Sequence, residues 1–445
     1  MCYLVPDSIG RHNQYRIYMR KTEEINTTGS VDWKARNRFY YEYIESFVRF
    51  IVPSDKHILM VSDPAISFEK IQDTFDYIVV TDILGKVYDI EKFLTGARAR
   101  MSEDGRIVIT QYSTFWEPIL RLASWLRLRS PSVEQNWISP HDLQNFLHLS
   151  GFEVVKSGEM MLFPKYIPLV SAFFNTILAN LWPFSSLCLI HYAIARPIPE
   201  GKVHTNPSLS IVVPARNEAG TVERIVNELP ELGSFTEIIF IEGHSTDNTF
   251  AEMKRVAKEY QGAKRVLVAV QEGKGKGDAV RKGFDMATGD ILAVYDADMT
   301  VPPEDMEKFY HAIVENRGEF INGSRLVYPV EKGAMRLLNF FGNKFFSFAF
   351  SAILGQPLKD TLCGTKVIWK KDYEDIKTNR AFFGDFDPFG DFDLLFGAAK
   401  LNLKIVEVPV HYRDRVYGTT NISRWKHGWL LLRMTIFAAR KLKFR

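Results

Sequence analysis

Residues 290–300 read DILAVYDADMT. Five strand-forming residues, Ile291 to Tyr295, run into two aspartates, Asp296 and Asp298, with one alanine between them. Residues two apart on an extended chain share a face, so both carboxylates are expected on one side of a strand end. Two adjacent anions repel unless a positive charge stands between them. A hard divalent cation meets that need, because it takes oxygen ligands and leaves room for a substrate's phosphates. The plainer expectation is a strand end followed by a solvated turn, and the surrounding sequence decides between the two.

The pattern around this stretch is α/β. LSIVVPARNE (209–218) reads as a strand into a turn, and AGTVERIVNELPEL (219–232) as an amphipathic helix. EIIFIEGHSTDNT (237–249) is a second strand into a turn, followed by the helix FAEMKRVAKEY (250–260). RVLVAVQEG (265–273) is a third strand, KGDAVRKGFDMA (276–287) a helix, and residues 290–298 the fourth strand. Such alternation predicts a parallel sheet whose ligands bind at the carboxyl ends of the strands. The turn after the first strand places Glu218 at such an end, where it accepts ribose or base hydrogens or caps the next helix. Asp247 or Asn248 caps a helix or contacts a ligand. GKGKG (273–277) sets Lys274 and Lys276 among three glycines ahead of a helix. Backbone N–H groups, a helix N-terminus and ammonium groups together suit a diphosphate.

In order, the motifs LSIVVPARNEAGTVERIV, IEGHSTDNT, EGKGKGDAVRKG, YDADMT, NGSR, DTLCGTKV and IVEVPVHYRDRVYGTTNIS resemble glycosyltransferase family 2. The branch they resemble most is the dolichol- and polyprenyl-phosphate sugar transferases, over roughly residues 208–422. The resemblance implies a GT-A nucleotide-sugar transferase fold, with Asp296 and Asp298 as ligands of Mg²⁺ or Mn²⁺ bridging the donor diphosphate. It implies donor binding by Pro214, Arg216, Glu218, Glu242, Lys274, Lys276 and Asp296. Asp360 matches a family acid close to the donor sugar, and Asp391 and Asp393 lie where the family places an acid near the acceptor. Three arginines, Arg325, Arg413 and Arg415, are expected at an acceptor phosphate, since a planar guanidinium donates two parallel bonds. A phosphate monoester needs no obligatory general base, because its second pKa of about 6 leaves it largely dianionic. The chain departs from the family at three places. Glu242 and Gly243 stand where many relatives carry paired aspartates, Thr300 replaces a glutamine, and Asn421 replaces a lysine. The expected activity is a metal-dependent, inverting transfer of a sugar from a nucleotide-sugar donor to a lipid-phosphate acceptor. The alternatives are a glycan hydroxyl acceptor and a non-catalytic membrane-bound scaffold.

The remaining sequence sets the context. At 445 residues, with 46% hydrophobic and 24% charged residues, the chain is expected to form two globular domains. A net charge of +3 gives no reason to expect nucleic-acid binding. Three scattered cysteines suit a reducing compartment, and MCYLVPDSIGRHNQYRIYMRK at the start lacks a signal-peptide layout. The expected location is cytoplasmic, peripherally bound to a membrane surface. The tail SRWKHGWLLLRMTIFAARKLKFR (423–445) carries seven Lys/Arg, two tryptophans and no acid, the composition of a helix lying on an anionic bilayer. Residues 337–355 are apolar with one lysine. Residues 166–195 carry no formally charged side chain, but prolines and asparagines interrupt them, so a helix followed by a buried strand is expected rather than a span.

Upstream of a proline-rich linker (197–207), residues 36–196 follow a short N-terminal extension (1–35). HILMVS (57–62), YIVVTDIL (77–84) and RIVITQYS (106–113) read as strands of a parallel, doubly wound sheet, with GFEVVKSGEMML (151–162) at its edge. FDYIVVTDIL, ARMSEDGRIVITQYS and SPHDLQNFLHLSGFEVV resemble the fourth strand, fifth strand and a later helix–strand unit of a class I S-adenosylmethionine-dependent methyltransferase. That family binds its cofactor with a glycine-rich loop after the first strand, yet no glycine occurs between Ile58 and Val80. Two further strands with crossovers do not fit before the fourth, since one βαβ unit takes about thirty residues. An incomplete Rossmann-like methyltransferase fold is therefore expected, without S-adenosylmethionine binding.

Overall fold

The computed structural model describes residues 15–18, 35, 37–126, 135–199, 201, 204–328, 337–383, 390–415, 417 and 424–444. The chain forms two compact units, residues 1–200 with 443–445, and residues 201–442.

The first unit is built on a six-stranded sheet. Its strands are β1 (Tyr15–Tyr18), β2 (Ile58–Val61), β3 (Phe75–Thr81), β4 (Met101–Tyr112), β5 (Phe152–Met160) and β6 (Ile190–Pro197), in the order β1-β2-β3-β4-β6-β5. β1 to β4 run parallel, but β6 is antiparallel to both β4 and β5. The sheet is therefore mixed, not all-parallel as the alternation suggested. The return strand β6 follows no crossover helix of its own. Helices α1 (Arg38–Ile51), α2 (Ile90–Arg98), α3 (Glu117–Trp125) and α4 (Pro140–Leu149) accompany the strands. One apolar face of α1 (Tyr40, Ile44, Val48, Ile51) is buried at helical spacing with Val79, Val108 and Ile194. The opposite face of the sheet packs Phe68, Phe93, Leu94 and Leu143 with Ile78 and Ile109. Helix α4 opens on a capping box, in which Ser139 accepts from the Asp142 N–H and Asp142 accepts from that of Ser139. β2 leads to β3 with no intervening strand, as the short spacing between them implied, and β1 lines the free side of β2. That strand lies in the segment expected to be a bare extension. Residues 170–187 form short helical turns rather than one helix.

The second unit carries a seven-stranded sheet in the order β13-β11-β12-β10-β7-β8-β9. The members are β7 (Leu209–Ala215), β8 (Thr236–Glu242), β9 (Arg265–Val270), β10 (Ile291–Val294), β11 (Phe320–Ser324), β12 (Lys366–Trp369) and β13 (Ile405–Pro409). β10, β7, β8 and β9 pair in parallel, and β12 runs antiparallel between β10 and β11. The central strands are buried along nearly their whole length because helices cover both faces. The connecting helices are α5 (Val222–Glu228), α6 (Thr249–Glu259), α7 (Lys276–Met286) and α8 (Met306–Val314). Helix α9 (Leu337–Leu354) leads to α10 (Lys370–Thr378), α11 (Asp391–Lys400) and the last helix, α12 (Arg424–Leu442). Strand β7 takes α7 against its backbone, so closely that a Cβ at Gly283 would clash with Val212.

Helix α12 departs from the expected surface helix. It packs with α9, and Leu431, Met434, Ala438 and Leu442 are buried in one stripe. Burial of that stripe makes α12 part of the unit's core, with Trp429 and Ile436 left exposed. No described helix is long and apolar enough to cross a membrane.

Candidate active site

Parallel pairing of β10, β7, β8 and β9 aligns their carboxyl ends. The turns that follow hold Glu218, Glu242, the 273–277 glycine loop and the acidic pair.

The acidic pair is not on an extended strand. β10 stops at Val294, Ala297 and Asp298 form a turn, and Met299 takes a φ of 55°. Tyr295 pins this turn by donating its hydroxyl to Val301 O at 2.7 Å. The turn, not the two-residue alternation, brings the carboxylates together. Lys276, first residue of α7, reaches Asp296 Oδ1 at 2.6 Å. Burial pushes the Asp296 carboxyl up, yet Lys276, then Lys366 and Arg325, bring it below the ordinary aspartate value. Burial and the Asp296 charge hold Asp298 above that value, although Arg415 opposes them. Thr300 donates both its N–H (3.2 Å) and its hydroxyl (2.9 Å) to Asp298 Oδ1.

Arg415 bridges the acids. It donates to Glu218 Oε1 at 2.5 Å and to Asp298 Oδ2 at 3.0 Å. Glu218 is buried, and burial lifts its carboxyl to about 7 despite Arg415. Its second oxygen is buried without a hydrogen-bond partner. Arg415 therefore pairs with Glu218 and Asp298 at the acidic turn. Arg413 lies nearby but exposed, 2.9 Å from Glu304, while its N–H donates to Thr300 O and ties the segment to the acidic turn.

Arg325 and Asp360 were expected in separate roles. They form one buried bidentate pair, with Nε–Oδ2 at 2.7 Å and Nη2–Oδ1 at 2.8 Å. Burial raises the Asp360 carboxyl, but Arg325 overrides it and holds it below the usual range. The Arg325 guanidinium also lies over the Tyr412 ring at 5.1 Å. Both side chains are thus committed to each other, which makes them a brace behind the acidic turn. Asp393 is buried and accepts from Arg380 Nε at 3.0 Å. The Asp391 side chain and residue Asn421 lie outside the described residues.

Pro214 is the penultimate residue of β7, Arg216 is exposed, and Asn217 takes a φ of 59°. Glu242 accepts the Ser245 N–H at 2.5 Å; burial raises its carboxyl, but this bond brings it below its ordinary value. Asp247 accepts the Thr249 N–H and hydroxyl, so its carboxylate serves the start of α6. Lys274 is exposed on the glycine loop. Gly275, at φ 89°, allows the loop to turn into α7.

Two residues escaped the reading of the sequence. Lys366 is buried, donating to Cys363 O at 2.5 Å and Asn322 Oδ1 at 3.1 Å. Gly364 backs the Lys276–Asp296 pair, where a Cβ would collide with Asp296 Oδ2. Both lie inside DTLCGTKV, but only the fold reveals that this motif passes behind the acidic turn.

The residues fit a divalent cation. Asp296 and Asp298 offer hard oxygens, their charges repel, and an orphaned Glu218 oxygen stands in the same cluster. No three metal-ligating side chains gather among the described residues. A cation held here would take two carboxylates from the chain and its other ligands from a bound substrate.

Comparison with known proteins gives two family matches. The model of glycosyl transferase family 2 matches residues 210–377, and that of a methyltransferase domain matches residues 29–157. Glycosyltransferase AglJ of Haloferax volcanii is 30% identical over 229 residues, covering 51% of this chain and 70% of the relative. The UDP-N-acetylglucosamine–dolichyl-phosphate N-acetylglucosaminyltransferase of Methanococcus voltae is 27% identical, covering 36% of this chain and 68% of the relative. Dolichyl-phosphate beta-glucosyltransferase of Saccharomyces cerevisiae is 23% identical, covering 50% and 73%. Glucosyl-3-phosphoglycerate synthase from Mycobacterium tuberculosis, solved with phosphoglyceric acid, aligns at a TM-score of 0.39 and 18% identity, over 54% of this chain and 81% of the other.

Proposed function

The chain belongs to glycosyltransferase family 2, and from that premise we propose that it moves a sugar from a nucleotide-sugar donor to a lipid phosphate, with a divalent cation and inversion at the sugar. The observation that carries the reading is the Asp296–Asp298 turn, held between Lys276 of the glycine loop and Arg415. Dolichyl-phosphate in the names of two relatives supports the acceptor class.

Each residue has a task in this reading. The N–H groups at the start of α7, with Lys274 and Lys276, receive the donor diphosphate. Asp296 and Asp298 would hold Mg²⁺ or Mn²⁺, which supplies charge to offset the departing nucleoside diphosphate. Arg415 neutralises Asp298 and Glu218 before the donor arrives. With Asp298 engaged in holding the cation, the Arg415 guanidinium would be free to turn toward a phosphate. Arg325 and Asp360 hold the wall behind the turn in place. The acceptor phosphate is already anionic, so its oxygen attacks the anomeric carbon without surrendering a proton to the chain. The α9–α12 pair leaves Phe345, Phe348, Trp429 and Ile436 exposed, an apolar surface suited to a lipid tail.

The test is transfer of label from a panel of radiolabelled nucleotide-sugars into organic-extractable lipid. Asp298→Asn should cut the rate by about a hundredfold or more, the scale of losing one key electrostatic group. Full activity in chelator, or label appearing only on a glycan hydroxyl, overturns the reading.

A further inference from the structure

The first unit has a segment whose polarity is inverted. Between residues 166 and 187 several polar side chains turn inward. Ser171 is buried and donates to Ile167 O at 2.8 Å. Asn175 is buried and exchanges two 2.8 Å bonds with the Phe163 backbone. Asn180 donates to Thr176 O at 2.9 Å. The large apolar side chains turn outward instead, with Leu169 87% and Trp182 84% exposed, and Tyr166, Phe173 and Ile177 exposed beside them. A water-facing loop has the opposite arrangement.

A second element extends this surface. Trp116, beside the N-terminus of α3, donates its indole N–H to Leu187 O at 2.8 Å, which joins α3 to the end of the segment. Phe115, Ile119, Leu122 and Leu126 are all exposed and recur at helical spacing, so they form one outward stripe, with Trp125 78% exposed next to it. No residue of α3 is buried. The two elements together make an apolar face larger than scattered surface residues explain.

We propose that this face of the first unit docks into one leaflet of a lipid bilayer. Three observations select lipid over another occupant. Residues 166–195 contain no formally charged side chain. Tryptophan and tyrosine, the residues of the membrane–water boundary, are among the most exposed members of the face. Cations border it: Lys165 directly precedes the segment, and Arg121 lies on α3. The single acid on α3, Glu117, is paired with Arg121 at 2.5 Å. The backbone is also prepared. Ser171, Phe173, Leu181 and Ser185 all donate their N–H groups within the segment, so shallow entry strands few polar groups. No described helix can span, so this is insertion from one side. The inference deepens the lipid-phosphate reading by naming a membrane surface and rests on it for its biological sense, but vesicle binding needs no reaction.

The experiment is flotation of the full chain with neutral phosphatidylcholine vesicles, and with vesicles containing an anionic lipid, at low and high salt. Apolar insertion predicts binding to neutral vesicles that survives high salt, because screening weakens only charge attraction. Leu169→Ser combined with Trp182→Ser should weaken that binding about tenfold or more, with the thermal unfolding midpoint unchanged. If Leu169→Ser/Trp182→Ser is unfolded, Trp125→Ser, on the separate element α3, carries the same expectation. Failure of the intact chain to bind neutral vesicles overturns the proposal, as does undiminished binding by folded variants. It is also overturned if the chain is a dimer by light scattering that these substitutions dissolve, since a second copy would then cover the face. Loss of sugar transfer with vesicle binding intact counts against the proposed function and leaves the docking face standing.

Discussion

Single residues show most clearly what the fold adds to the sequence. His191 reads in the sequence only as a polar break in an apolar stretch, yet it is buried in β6 with Nδ1 unpartnered, and burial lowers its pKa from 6.5 to about 4. The unfolded chain binds this proton more tightly, so the stability is whole above pH 6.5 and is lost as pH falls toward 4. Denaturant unfolding at pH 7 and pH 5 should show a loss for the intact protein that His191→Leu escapes by about 2 kcal/mol. An equal loss in both would place the acid-sensitive group elsewhere. Gly364 offers a second test. Gly364→Ala should cost about 1–3 kcal/mol through crowding and lower kcat/KM for the donor about tenfold or more by displacing Asp296 and Lys276. Gly342→Ala, whose Cβ meets nothing within 4 Å, should do neither. Unchanged donor kinetics in Gly364→Ala would separate this glycine from the site. Of the residues singled out in the sequence, Glu218, Lys276, Asp296 and Asp298 gather, because parallel pairing fixes where strands end, while Glu242 turns to the Ser245 N–H and Lys274 is exposed. The arginines were harder to place. A guanidinium reaches carboxylate and phosphate alike, and only the fold shows that Arg415 lies against Glu218 and Asp298, and Arg325 against Asp360.

At the scale of elements, strands were legible where both faces are covered. β7, β8 and β10 each carry a buried apolar run (IVV, IIFI and ILAV), and turn residues follow them. β11 and β12 were not legible: FINGS carries three small or polar residues, and KVIW is only four residues long. Direction was also hidden, since the antiparallel β6 has the same composition as a parallel strand. Helix α12 was misjudged for a different reason. Its bases and tryptophans suggested a membrane surface, but Leu431, Met434, Ala438 and Leu442 at three- and four-residue steps form a core stripe. Met434→Ala should therefore destabilise the protein by about 2–5 kcal/mol, read from the urea midpoint. A shift below the error of the measurement would mean that the helix is dispensable to the core.

Over the whole molecule, the two family resemblances predict two units because each brings its own sheet and core. What the sequence hid is how the first unit manages without the strands that the family it resembles would supply beside β2. The N-terminal segment answers with β1, pairing Tyr15 to Tyr18 in parallel with Ile58 to Val61. An uncovered β2 would offer a row of N–H and C=O groups to any passing chain, and open edges of that kind recruit foreign strands. Without β1 the sheet would end on the apolar ILMV of β2; with it, the sheet ends on YRIY, which carries a charged residue of the kind that discourages pairing at an edge.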